Sequence, residues 1–175
     1  MSRRALVLTI SDGVAAGKRE DESGAALADR LTALGFEVSR AVVPDEMESI
    51  AGAVAVNSPK VALVVTTGGT GLGPRDRTPQ TMRALLDYEI TGFGEQMRAH
   101  GRNSTPMADL SRSLAGVLGS TLVICVPGSR GGALDSLEAV EPVLEHALET
   151  LSGHTQHVDD RPPDAHETAS ETTSD

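Results

Sequence analysis

A chain of 175 residues is long enough for one domain with a sizeable buried core, and a net charge of −10 argues against nucleic acid as its main partner, because phosphate backbones need a basic surface. Aromatics are scarce (two Phe, one Tyr, no Trp), so the core must come from small aliphatics, which suits a parallel sheet covered by helices. The single Cys excludes an intrachain disulfide or a zinc cluster, no apolar run nears the roughly 18 residues that span a bilayer, and Met1-Ser2-Arg3-Arg4 lacks a signal-peptide pattern; a cytoplasmic protein without a membrane segment is expected.

In chain order, Ala5 to Ile10 is a short apolar run and reads as the first buried strand. Ser11-Asp12-Gly13 follows at its carboxyl end, where α/β sheets bind ligands; Ser11 and Asp12 either face a ligand or form an Asx turn, and position alone favours the turn. Val14 to Glu22 is polar and irregular and is expected to be a mobile loop. Ser23 has the chemistry of an N-cap, and Leu27, Leu31 and Leu34 repeat as one face of a helix that Gly35 ends. Phe36 to Val43 reads as a second strand. Pro44-Asp45-Glu46 then turns into a helix with Met47, Ile50, Ala51 and Val54 on one face; by position alone Asp45 is a cap for that helix.

Val61 to Thr67 is the third strand, and it feeds Gly68-Gly69-Thr70-Gly71-Leu72-Gly73, four glycines in six residues. Glycines let a backbone approach an anion closely and turn its N–H groups inward. Asp76, between Arg75 and Arg77, is an unusual acid in such a turn, and the combination suggests a nucleotide held together with a divalent cation. Thr78 is expected to cap the next helix with Pro79 at its first position, and Met82, Leu85 and Leu86 form its apolar face. The β–α alternation so far implies parallel strands with right-handed crossovers.

Beyond Tyr88 the rhythm changes. Gly92 to Gly101 reads as a short helix, Asn103 to Pro106 as a loop, then a short helix to about Arg112 and a hairpin turning at Gly119-Ser120. Thr121 to Val126 is apolar throughout and should be central, with Cys125 a buried small hydrophobe. Pro127 to Gly132 is a second glycine-rich loop. The last helix carries Leu134, Leu137 and Val140, is expected to be interrupted or restarted at Pro142, and continues with Val143, Leu144, Ala147, Leu148 and Leu151. From His154 onward six acids face one arginine, about half the net charge, and His154, His157 and His166 lack metal-ligand spacing. The expected organisation is one domain over residues 1–153 and a disordered acidic tail over residues 154–175.

Neither familiar phosphate motif is present. A P-loop needs Lys and then Ser or Thr after the last glycine, but Gly73 is followed by Pro74-Arg75; the dinucleotide pattern fails at Pro74. The residues Thr66 to Pro79 do, however, resemble the signature of the MogA/MoaB family of molybdenum-cofactor biosynthesis proteins, to which the gephyrin G domain is similar. Four further stretches agree in order: Ser11-Asp12-Gly13, Val43-Pro44-Asp45-Glu46, Leu110-Ser111-Arg112 and Val126-Pro127-Gly128-Ser129. The resemblance spans roughly residues 4 to 152. Thr91 departs from the proline that many relatives carry before the glycine.

This resemblance implies a three-layer α/β/α fold with a mostly parallel sheet and a small hairpin excursion, usually trimeric. It implies Mg²⁺-dependent adenylylation of molybdopterin, whose terminal phosphate attacks the α-phosphate of ATP and releases pyrophosphate. Asp45 and Asp76 would be the catalytic pair and the carboxylates for Mg²⁺, which overrides the capping reading of Asp45. Gly68, Gly69, Thr70 and Gly71 would line the nucleotide side, and Ser11, Asp12 and Thr67 would also be binding residues. Ser111, Arg112, Pro127, Gly128 and Ser129 would line a cleft shared with the pterin, their division between the two ligands staying open. A molybdate-insertion protein is a possible partner. The alternative is a non-catalytic pterin-binding paralogue acting as a carrier or assembly partner; loss of either aspartate would have favoured it. A related CinA-type domain would require a different opening motif than Ser11-Asp12-Gly13.

Overall fold

The computed structural model describes residues 3–153; the segment expected to be an acidic tail, with its three histidines, lies outside the described residues. Six strands form one sheet: β1 (Arg3–Ile10), β2 (Phe36–Val43), β3 (Leu63–Thr67), β4 (Tyr88–Glu89), β5 (Leu114–Leu118) and β6 (Thr121–Val126). Their spatial order is β2-β1-β3-β6-β5-β4. The first four in that order pair parallel, whereas β5 pairs antiparallel with both β6 and β4. The expected hairpin is therefore present, with Gly119 at φ 61° in its turn, but its outer strand continues the main sheet and carries the two-residue β4 beyond it.

Among the described residues six α-helices accompany the sheet: α1 (Asp12–Ala15), α2 (Glu22–Ala33), α3 (Met47–Asn57), α4 (Thr78–Leu85), α5 (Thr91–Gly101) and α6 (Arg130–Leu151). The short helix expected to reach about Arg112 is a 3-10 turn over Pro106–Leu110. Alternate residues of the central strands feed two cores. Val7, Val65 and Ile124 meet Leu27 and Leu31 of α2, Met97 of α5, and Leu137 and Val140 of α6. Leu8, Val64 and Val123 meet Ile50 and Val54 of α3 and Met82 of α4 on the opposite face. Both faces are buried, which is why these strands read as continuous apolar runs. Cys125 is fully buried, and burial pushes its thiol up to about 12.

Several local expectations are corrected. The segment after β1 is not all loop, because Asp12 to Ala15 make one helical turn capped by Ser11. Asp21, not Ser23, caps α2: its carboxylate accepts from the Gly24 N–H at 3.0 Å and also holds the Thr9 hydroxyl and Arg40. At α4 the cap position is Arg77, and Thr78 turns its buried hydroxyl back to donate to the Gly68 carbonyl at 2.8 Å. Pro142 neither interrupts nor restarts α6, which runs through it unbroken. The proline sits on the exposed side, where water can take the carbonyl it leaves unpaired, while Val140 and Leu144 keep packing.

This topology fixes where a ligand can bind. The long helices after β1 and β6 pack on one face, and the helix after β3 packs on the other. The chain therefore parts on both sides of β3 at the carboxyl edge of the sheet, the place where open α/β sheets form a binding crevice.

Candidate active site

The carboxyl ends of β1, β2, β3 and β6 deliver Ser11, Asp45, Gly68 and Pro127 to this one edge. Gly68 continues the ladder by donating its N–H to Val126 at 3.1 Å, then turns at φ 109°; Gly69 follows at φ 64°. A side chain at Gly68 would lie 2.2 Å from the Ile10 carbonyl, so only glycine lets β3 leave the sheet here. The main chain then runs out to Asp76 and returns at Thr78, whose N–H donates to the Gly69 carbonyl at 3.1 Å.

Of the cavities that flank this turn, the two larger ones share Gly69, Asp76, Gly128 and Ser129, and a third, of about 380 Å³, lies against Gly73, Asp76 and Arg112. One of the larger two, of about 530 Å³, is largely apolar, with Leu72, Met97, Met107 and Leu110 in its wall and Arg98 and Asp135 beside them. The other, of about 830 Å³, is polar and includes Ser11, Asp21, Asp45 and Thr67. Twelve of the fourteen residues named from the sequence line one or both of these two: Ser11, Asp45, Thr67, Gly68, Gly69, Thr70, Gly71, Asp76, Ser111, Pro127, Gly128 and Ser129. Asp12 and Arg112 line neither of them.

Those two act as braces. The Asp12 carboxylate accepts the Asp45 N–H at 3.0 Å and a forked pair of bonds from Arg75, whose Nη2 lies 2.6 Å and 2.8 Å from its two oxygens. The Asp12 N–H in turn donates to Asp45 Oδ2 at 2.8 Å, so Asp45 serves the start of α1 rather than that of α3, whose cap residue Glu46 makes no such bond. The Asp45 N–H first, and the Arg75 fork second, hold the Asp12 carboxyl below the usual carboxylate range. Since its folded value is lowered, these bonds are fully present above the ordinary carboxylate pKa of about 3.9 and are lost only as pH falls through the lower folded value. Arg112 donates through Nε and Nη2 to the Gly71 carbonyl and through Nη2 to the Asp76 carbonyl at 2.6 Å, while its own N–H bonds Thr70. It grips both ends of the turn from behind.

Asp76 folds its Oδ2 onto the Gly73 N–H at 2.7 Å. Side chains at Gly71 and Gly73 would come within 2.9 Å and 2.8 Å of that oxygen, so these glycines make room for the carboxylate. Among the described residues, no acceptor takes the N–H groups of Gly69, Thr70 or Gly71; Gly69 lines both cavities, and Thr70 and Gly71 line the apolar one. Two cations were missed from the sequence. Arg19 and Arg130 reach the polar cavity and make no ion pair among the described residues. Arg130 could have been suspected from its place in the second glycine-rich loop, but Arg19 lay in a stretch read as mobile.

The donor set fits Mg²⁺ held jointly with phosphates. Asp45 Oδ1 and Asp76 Oδ1 accept no hydrogen bond among the described residues, and both side chains line the polar cavity. Hard carboxylate oxygens suit Mg²⁺, which usually takes one or two carboxylates and completes its shell from substrate phosphates and water. No group of three or more His, Cys, Asp or Glu among the described residues is placed to hold a metal alone, so phosphate oxygens would have to supply part of the shell.

With this geometry in view, the comparisons with known proteins are consistent with one another. A family model described as "Probable molybdopterin binding domain" matches residues 6–146. The chain is 40% identical over 152 residues to a molybdenum cofactor biosynthesis bifunctional protein of Chlorobaculum tepidum, covering 86% of this chain and 49% of that one. It thus spans about half the length of the bifunctional relatives it matches. It is 33% identical over 160 residues to the molybdopterin adenylyltransferase of Helicobacter pylori J99, covering 89% of this chain and 91% of that one. The crystal structure of the molybdopterin biosynthesis enzyme MoaB from Thermus thermophilus superposes with a TM-score of 0.79 at 46% identity, over 86% of this chain and 97% of that one. No helix among the described residues is long and apolar enough to cross a membrane.

Proposed function

The chain belongs to the MogA/MoaB family of molybdenum-cofactor biosynthesis proteins, and from that premise we propose that it is a molybdopterin adenylyltransferase, joining AMP from ATP to the terminal phosphate of molybdopterin and releasing pyrophosphate. The observation that carries this reading is the meeting of two cavities at Gly69 and Asp76, with Asp45 in the wall of the polar one, Thr70 and Gly71 in the wall of the apolar one, and the N–H groups of Gly69, Thr70 and Gly71 unengaged among the described residues. Two polyanions can be seated side by side there, with their phosphates converging on one point.

Transfer between phosphates asks for positioning and charge neutralisation more than for covalent help. The N–H groups of Gly69, Thr70 and Gly71 would bind phosphate oxygens, and Arg19 and Arg130 would offset charge from the polar side. Asp45 and Asp76 would hold Mg²⁺ by the carboxylate oxygens that no protein group engages; bound there, the ion neutralises the phosphates and the charge that develops on them. The apolar slot offers the side chains of Leu72, Met97, Met107 and Leu110 to a heterocycle. The same reading includes a homotrimer, a cytoplasmic setting and a molybdate-insertion protein downstream.

Incubating the protein with molybdopterin and Mg-ATP tests this directly, with adenylyl-molybdopterin and pyrophosphate as expected products. Asp76→Ala should lower the rate by on the order of 10²-fold or more, as for other losses of a charge-stabilising group, with an unchanged melting temperature. Tight pterin binding without any product would overturn the enzyme reading in favour of a carrier.

A further inference from the structure

We propose that Asp12 and Arg75 form a latch that sets Asp45 and Asp76 in register across the cleft. Both are then positioning residues for the adenylyl transfer proposed above, and the inference rests on that reading.

The pair is exposed, with the Arg75 and Asp12 side chains 58% and 48% accessible, and what sets it apart is the network its bonds belong to. An isolated exposed pair contributes little, but a forked arginine–carboxylate contact inside a network is directional as well as attractive. Here one carboxylate takes three donors from two distant segments: the Asp45 N–H, 33 residues away, and Nε and Nη2 of Arg75, 63 residues away. The Asp12 N–H closes the loop by holding Asp45 Oδ2. That bond fixes the Asp45 rotamer and leaves Oδ1 on the Gly69 side, 3.5 Å from where a side chain on Gly69 would begin.

Arg75 is the covalent neighbour of Asp76. Pinning Arg75 to Asp12 from the front, while Arg112 holds the Asp76 carbonyl from behind, leaves the Asp76 segment no slack. The turns after β1, β2 and β3 are thereby tied to one carboxylate, and the separation of the two candidate metal-holding acids is set by it. Neither Asp12 nor Arg75 lines either cavity, so the pair has no direct contact with a ligand seated there. Sites of this kind need their groups within about 0.5 Å of the productive geometry, and a misplacement of about 1 Å can cost on the order of 10²-fold in rate.

Arg75→Gln, Arg75→Lys and Asp12→Asn, with the Arg75→Gln/Asp12→Asn pair, test the latch through two readouts. One is turnover of molybdopterin with Mg-ATP. The other needs no chemistry: the half-saturation of Mn²⁺, read by its electron paramagnetic resonance signal, in the presence of a non-hydrolysable ATP analogue. Gln and Asn should each lower kcat by about 10- to 100-fold and raise the Mn²⁺ half-saturation by on the order of 10-fold. Melting temperature and pterin binding should hold, and the double variant should be no worse than either single one. Arg75→Lys should stay impaired, because an ammonium restores the charge but cannot fork. Full recovery with Lys would reduce the pair to a general charge effect and overturn the latch, as would parental kcat and Mn²⁺ half-saturation in Arg75→Gln. A fall in melting temperature with kcat preserved would mark a structural brace only and overturn it as well. If the parent makes no adenylylated product yet the variants still lose Mn²⁺ affinity, the enzyme reading fails while the latch stands.

Discussion

Two glycine-rich turns leave adjacent parallel strands at the same edge of the sheet, and they are held in opposite ways. The turn from Gly68 to Arg77 is long and is gripped by side chains from elsewhere: Arg112 behind it, Thr78 under Gly68, and Asp12 on Arg75. The turn from Pro127 to Ser129 is short and enters a 22-residue helix at once, with Ser129 accepting the Gly132 N–H as its cap. A turn that presents only backbone can be positioned by the helix it begins. A turn that must aim a carboxylate needs bracing, because backbone alone does not fix a rotamer. Substituting the glycines of the two turns should expose the difference.

The largest effect is expected at Gly68. Alanine there combines a left-handed backbone, costing roughly 1–2 kcal/mol, with a methyl group 2.2 Å from the Ile10 carbonyl, a main-chain atom that cannot swing aside. Overpacking of that kind costs about 1–3 kcal/mol, so the total is about 2–5 kcal/mol. At about 2–4 °C per kcal/mol for a domain of this size, thermal unfolding should show a melting temperature lower by about 4–20 °C. A value within about 1 °C of the parent would mean that the turn is not locked to β1.

Gly73→Ala separates the aiming of the carboxylate from the stability of the turn. Its new methyl would meet Asp76 Oδ2 at 2.8 Å, the free end of a flexible side chain, and Gly73 has no positive φ. The fold should tolerate this, with a melting temperature shifted by no more than about 2 °C. The carboxylate should move off the Gly73 N–H, and turnover should fall by on the order of 10-fold. Parental turnover would show that the folded-in position of Asp76 is not the working one.

What the sequence disclosed, and what it withheld, follows the same division. Strands buried on both faces are apolar throughout, so β1, β3 and β6 were legible, and the hairpin turn followed from Gly119-Ser120. The candidate site was legible because its residues sit in compact motifs at strand ends. The bracing was not. Asp12 and Arg75 are 63 residues apart, and nothing local says that they meet. Thr78 before Pro79 has the local pattern of a helix cap, yet a long-range bond to Gly68 claims its hydroxyl. Asp21 outcompeted Ser23 as a cap because Thr9 and Arg40, from neighbouring strands, hold it in place. Pro142 reads as a break because a proline inside a helix removes a hydrogen bond, yet between the packed Val140 and Leu144 it stands on the water side, where that loss is tolerated.

The smallest effect, and one of opposite sign, belongs to the start of the helix that carries the second turn. Gly131 lies in the first turn of α6 with no positive φ, lines neither cavity, and a side chain there would meet nothing within 4 Å. Alanine should narrow the unfolded ensemble without straining the folded one, a gain of about 0.4–1 kcal/mol. The melting temperature should rise by about 1–4 °C and adenylylation should be unchanged. A helix-borne turn can accept such a change because its geometry is inherited from α6 and stiffens with it. If Gly131→Ala instead slowed turnover while raising the melting temperature, the start of α6 would have to move during the reaction. The second turn would then be a moving part, and the rigid half of the site would be the first turn alone.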